Sequence, residues 1–148
     1  MEKLGQHFLI NKNKIKEIID ALELNPPHRT HSMWGMKSGG TVIEIGPGHG
    51  ELTEFLVNQL LAFRYKIIAI EKDRELTNCL QKKFSQNKNI KIIEGDALKI
   101  LPNLINSMLR TSDVPNIKNN FRTSDVQKLK IVGNIPYYIT GHLLRILG

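Results

Sequence analysis

The 148-residue sequence predicts an α/β fold, a parallel sheet with helices on both faces that stops after about the fourth strand. Three observations carry this. Four short apolar runs, "TVIEIG" (41–46), "YKIIAIE" (65–71), "NIKIIEGD" (89–96) and "KLKIVGN" (128–134), have the near-continuous hydrophobicity of strands buried on both faces. Amphipathic helical segments alternate with the early runs, the pattern of strand–helix–strand units. The first run ends in glycines and the next two end in acids, which is where a wound sheet carries its ligand groups.

The elements follow in order. Residues 13–24, "NKIKEIIDALEL", place Ile15, Ile18, Ile19 and Leu22 on one helical face, with Asn13 or Asn11 as N-cap. The Pro-, Gly- and Ser-rich stretch 25–40 reads as a loop. After the first strand, "ELTEFLVNQLL" (51–61) puts Leu52, Phe55, Leu56 and Leu60 on one face. Asp73 can cap the helix "RELTNCLQKKF" (74–84). Cys79, the only cysteine, stands among Leu76, Leu80 and Phe84 at helical spacing and reads as core. One cysteine permits no internal disulfide and no zinc site of several thiolates, so no metal is expected. Between the third and fourth strands, 102–127 reads as an inserted surface loop within a single domain, 1–148. "RTSDV" occurs there at 110–114 and 122–126; a plain surface loop is the leading reading, and RNA contact through Arg110, Lys118 and Arg122 is the alternative.

Composition narrows the function. Hydrophobic residues make up 41%, enough for a core, and no apolar run approaches the roughly 20 residues of a membrane span. The N-terminal "MEKLGQHFLINKNK" lacks a secretory apolar core, so a cytoplasmic location is expected. The net charge of +7 favours polyanions, nucleic acid above all, although the lysines are scattered rather than massed.

In "EIGPGHGE", Glu44 is followed by Gly46, Gly48 and Gly50. Glycines let the backbone turn tightly and approach a ligand closely. The dinucleotide fingerprint would need glycine at 51, where Glu51 stands and would compete with a pyrophosphate for the helix N-terminus. The turn suits a nucleoside ligand without phosphates, and a purely structural tight turn is the alternative. Glu71, ending the second strand, can accept both hydroxyl hydrogens of a ribose; Asp96, ending the third, can accept from an adenine amino group. Either acid alone reads more readily as a helix cap or a solvated charge. Together with the glycine turn they describe a pocket for ribose and adenine, suited to S-adenosylmethionine or adenosine, with NAD as the rival.

Past the fourth strand comes "NIPYYIT" (134–140). The side-chain carbonyl of Asn134 can accept from an exocyclic amine, and the backbone carbonyl of Ile135 or Pro136 supplies a second acceptor. Two acceptors orient an amine for attack on a methyl sulfonium without a strong base. Tyr137 or Tyr138 offers a face for an unpaired or flipped adenine or cytosine.

With "LGQHFL" (4–9), "VIEIGPGHGELT" (42–53), "IIAIEKD" (67–73), "IIEGDAL" (92–98) and "KIVGNIPYYIT" (130–140), the sequence resembles the ribosomal RNA adenine N6,N6-dimethyltransferase family. The resemblance covers 1–24, 41–101 and 128–148. It implies a Rossmann-like S-adenosylmethionine-dependent methyltransferase fold and dimethylation of adenosines in small-subunit rRNA or a pre-ribosomal particle. His7 and Leu9 would close over the methionine end of the cofactor, and Gly46 would contact it from the turn. Glu71 would hold the ribose and Asp96 the adenine; Asn134 would touch both cofactor and target amine, with Pro136 beside it and Tyr137 stacked on the target. Family members continue into a larger sheet and a helical domain that grips RNA, so a C-terminal fragment is an expected partner. A truncated member that binds cofactor or RNA without catalysis is the alternative.

Overall fold

The computed structural model describes residues 12–22, 40–60, 65–110, 129–133, 135 and 137–147. The elements run α1 (Lys12–Ala21), β1 (Thr41–Ile45), α2 (Glu51–Leu60), β2 (Lys66–Glu71), α3 (Arg74–Lys83), β3 (Ile90–Glu94), α4 (Ala97–Arg110), β4 (Leu129–Gly133) and α5 (Tyr137–Leu147). All four strands are parallel, in the order β3-β2-β1-β4. The chain winds outward from β1 to β3 and then returns to the other side of β1. The β1/β4 junction is therefore the topological switch point, outside which sheets of this kind bind ligands.

The apolar runs sort into two cores because alternate strand residues face opposite ways. Val42, Ile67 and Val132 meet Ile15, Leu22, Leu52, Leu56 and Leu60 of the α1/α2 layer. Ile43, Ile45 and Ile70 meet Ala97 and Leu101 of α4 and Leu143 of α5. Every residue of β1 is buried, as expected of a strand covered on both faces.

Helix α1 buries Ile15 and half-buries Ile18 and Ile19, the face its periodicity predicts. It begins at Lys12, so Asn13 lies inside it and is not the cap; Asn11 falls outside the described residues. Asp73 does cap α3, its Oδ1 accepting from the N–H groups of Glu75 and Leu76 at 2.8 and 3.2 Å.

Two expectations are corrected. Residues 102–110 are not part of a loop: α4 runs through Pro102 to Arg110. A proline inside a helix forfeits a hydrogen bond and strains the preceding turn, at about 3 kcal/mol. Leu98, Leu101, Leu104 and Ile105 nonetheless keep helical spacing and pack into the second core, which outweighs that cost. The remainder of the supposed loop, with the RTSDV repeat, falls outside the described residues beyond Arg110. Cys79 is exposed rather than core. Helix α3 buries Thr77 and Leu80, and a residue two positions from Thr77 points about 200° away from it.

No helix of the described residues is long and apolar enough to cross a membrane.

Candidate functional site

The parallel register aligns the carboxyl ends of the strands. Ile45 pairs with both Ile70 and Gly133, and Ile70 pairs with Ile93. One residue further, the chain leaves the sheet at Gly46 after β1 and closes β2 with Glu71. The Gly46 N–H donates to the Ile70 carbonyl at 3.0 Å, and the Gly95 N–H to the Glu71 carbonyl at 2.7 Å. The glycine turn and the end of β2 are therefore hydrogen-bonded neighbours.

Gly46 has φ +65°, a region that costs other residues about 1–2 kcal/mol. Among the described residues, a Cβ built on it would meet nothing within 4 Å. Gly50, at φ +84°, is constrained from the other side: a Cβ there would come within 2.8 Å of Leu80 and 3.2 Å of Phe84. On that side the turn is pressed against α3. Lys83 secures that contact. Its Nζ donates to the His49 carbonyl at 3.4 Å and lies 3.0 Å from Glu54 of α2.

Glu71 is 5% exposed and has structural partners of its own. Its Oε2 accepts from the Gly48 N–H at 3.0 Å and its Oε1 from the Asp73 N–H at 2.9 Å. The carboxylate thus clasps the glycine turn to the start of α3. Each oxygen retains a lone pair, so hydroxyl hydrogens can still be accepted.

Asp96 does not end the third strand: β3 closes at Glu94, and Asp96 stands two residues past it, where it caps α4. Its Oδ1 accepts from the Leu98 N–H at 3.0 Å, and its main-chain carbonyl accepts from Lys99 and Ile100. The sequence allowed a cap or a ligand group at this position. The cap is present and uses one oxygen; Lys72 Nζ lies 3.8 Å from the other, Oδ2.

Glu44 is a residue for which the sequence suggested no separate task. It is 1% exposed in the middle of β1 and accepts from Thr53 Oγ1 at 2.7 Å. Burial pushes its carboxyl up to about 7; the Thr53 hydrogen bond opposes that shift, and Glu51 and Glu71 add to it. The signal was a lone acid inside an apolar strand. Its effect is to join β1 to the first turn of α2, beneath the glycine turn.

Gly46, Glu71 and Asp96 thus lie along one edge of the sheet. The other predicted site residues, His7, Leu9, Asn134 and Pro136, fall outside the described residues, as does the side chain of Tyr137, the first residue of α5. Among the described residues no group of three or more His, Cys, Asp or Glu could hold a metal ion.

A sequence model of the family described as ribosomal RNA adenine dimethylase matches residues 1–147. Proteins named ribosomal RNA small subunit methyltransferase A are among its relatives. That of Dehalococcoides mccartyi (strain CBDB1) is 37% identical over 142 residues, covering 96% of this chain and 38% of the relative. That of Moorella thermoacetica is 35% identical, covering 95% of this chain and 40% of the relative. The chain therefore spans about 40% of the length of these relatives. Among solved structures, the 23S rRNA methyltransferase ErmE superposes with a TM-score of 0.59 at 24% identity, over 95% of this chain and 42% of that one, which shows a shared fold. A family match over nearly the whole chain, on a sheet whose strand ends carry these groups, makes this protein a member of the ribosomal RNA adenine dimethylase family.

Proposed function

We propose that the chain carries the cofactor half of an S-adenosylmethionine-dependent enzyme that methylates N6 of adenosines in small-subunit rRNA, twice at each target. The observation that carries this reading is the hydrogen bond from the glycine turn to Glu71, with Asp96 at the next strand end. The donor set fits the cofactor. Glu71 and Asp96 offer acceptors to neutral donors, the ribose hydroxyls and the adenine amine. Among the described residues nothing crowds Gly46, which leaves room for a ligand against the backbone. Glu51 and Glu54 in the first turn of α2 disfavour a phosphate at that helix end, which counts against NAD.

When bound, the cofactor supplies a methyl group on a sulfonium. The protein's own groups bind and orient. Glu71 holds the ribose and Asp96 Oδ2 the adenine amine, with His7 and Leu9 closing the methionine end. Asn134 and the backbone carbonyl before or at Pro136 accept both hydrogens of the target amine, aiming its lone pair at the methyl carbon. Tyr137 stacks on the target base. The end of β4 at Gly133, beside Ile45, supports a task for Asn134 at the switch point. No general base is required at that nitrogen, because its proton becomes acidic only as the new bond forms.

The test is calorimetric titration of the 148-residue chain with S-adenosylhomocysteine, comparing wild type with Asp96→Asn. Glu71→Ala is the poorer control, because it would strand the two backbone donors that Glu71 satisfies. Asparagine keeps the α4 cap through its carbonyl and sets an amide donor against the adenine amine. Binding at least tenfold weaker in Asp96→Asn, with unchanged unfolding temperature, supports the pocket. Equal affinity overturns it. Transfer is then read as tritiated methyl incorporated into unmodified small-subunit rRNA. A second reading, binding of cofactor or RNA without transfer by these residues alone, is favoured by the length of the relatives. It predicts the titration to succeed and the incorporation to fail.

A further inference from the structure

We infer that Lys72 is a built-in competitor of the cofactor: its ammonium holds the Asp96 oxygen that the adenine amine must occupy. The inference rests on the reading of Asp96 as the adenine acceptor. Lys72 follows Glu71 directly, where β2 leaves the sheet, and its side chain is 79% exposed. Nζ reaches across the strand ends to within 3.8 Å of Asp96 Oδ2. The cap already divides the carboxylate: Oδ1 accepts the Leu98 N–H, and Oδ2 faces the ammonium. An adenine amine arriving at Oδ2 meets a cation that is attracted to the same oxygen.

The geometry sets the strength of this competition. At 3.8 Å the pair is an ionic attraction rather than a formed hydrogen bond. Exposed pairs of this kind are weak and screened by salt. The lysine can therefore be displaced, and its displacement subtracts modestly from affinity. Only a group that itself donates can restore to Oδ2 what the ammonium supplied. A nucleoside amine does so, whereas a carbonyl would set oxygen against oxygen.

The competition predicts an uncommon salt dependence. Screening weakens the Lys72–Asp96 attraction, so cofactor affinity rises with salt. Lys72→Met keeps the apolar stem and removes the charge; Lys72→Arg keeps the charge. S-adenosylhomocysteine is titrated into the 148-residue wild type and both variants between about 0.02 and 0.5 M salt, a range over which the screening length shrinks severalfold. Lys72→Met is expected to bind about two- to five-fold tighter at low salt, with no salt dependence left, while Lys72→Arg follows wild type. A merely structural lysine would not produce that salt signature. Unchanged or weaker binding by Lys72→Met, or salt-insensitive wild type, overturns the competition. If Asp96→Asn still weakens binding at least tenfold in that case, the pocket reading survives without it. Absence of binding by folded wild type overturns both.

Discussion

At the scale of single residues, the site is built from acids that each have a structural partner first. Glu71 joins the glycine turn to α3, Asp96 caps α4, and Glu44 ties β1 to α2. Glu44 yields a pH prediction. Its folded pKa, about 7, lies above its value of 4.5 in an unfolded chain. The folded state therefore holds the proton more tightly, and the associated stability is fully present below about pH 4.5. It is lost as pH rises through 7. Urea unfolding at pH 5 and pH 8 should show Glu44→Gln matching wild type at the lower pH. At the higher pH the variant should be the more stable by up to roughly 3 kcal/mol, the linkage equivalent of the shift. Parallel pH profiles for the two proteins would contradict an ionising Glu44. Among these acids, Glu71 was legible because it closes β2; Asp96, expected to end the third strand, lies two residues beyond β3, and its pairing with Lys72 was not legible because sequence spacing does not reveal which strand ends lie side by side.

At the scale of elements, helix and strand type were legible wherever the apolar period was strong. β1 to β4 and α1 to α3 occupy the segments their patterns predict. Two helices were missed: α4, where Pro102 read as the start of a loop, and α5, where no helix was read after the fourth strand. The local signal was real, since proline disfavours a helix interior, but Leu101, Leu104 and Ile105 find a core that no local rule can see. Replacing Pro102 with alanine should restore the missing hydrogen bond and stabilise the chain by about 1–3 kcal/mol. A thermal melt that moves downward would show that the proline shapes α4 for packing instead. Cys79 failed for the converse reason. Its neighbours at helical spacing suggested burial, but the buried face of α3 runs through Thr77 and Leu80 and leaves it outside.

At the scale of the whole molecule, one sheet edge collects the glycine turn, Glu71 and Asp96, and the chain carries a net charge of +7. That excess predicts counterion release on RNA. Anisotropy with a single-stranded small-subunit rRNA fragment should show affinity falling roughly tenfold between about 0.05 and 0.2 M salt. This trend is opposite to the one expected for S-adenosylhomocysteine, so the two ligands separate surface charge from pocket charge. RNA affinity indifferent to salt would remove the basic surface from the interface.

By itself the sequence determined the α/β class, the strand segments, the glycine turn and the acids that close β2 and follow β3. These are local: they follow from period, chain turns and residue type. Only the tertiary structure decided that β1 lies between β2 and β4, which brings Gly133 beside Ile45 and makes their junction the switch point. It also decided that Glu71 grips the turn through Gly48, that Glu44 is buried against Thr53, and that Lys72 faces Asp96. Each of these joins residues from separate elements. Strand order and register set such distances, and both are chosen by the packing of the whole sheet rather than by any one segment.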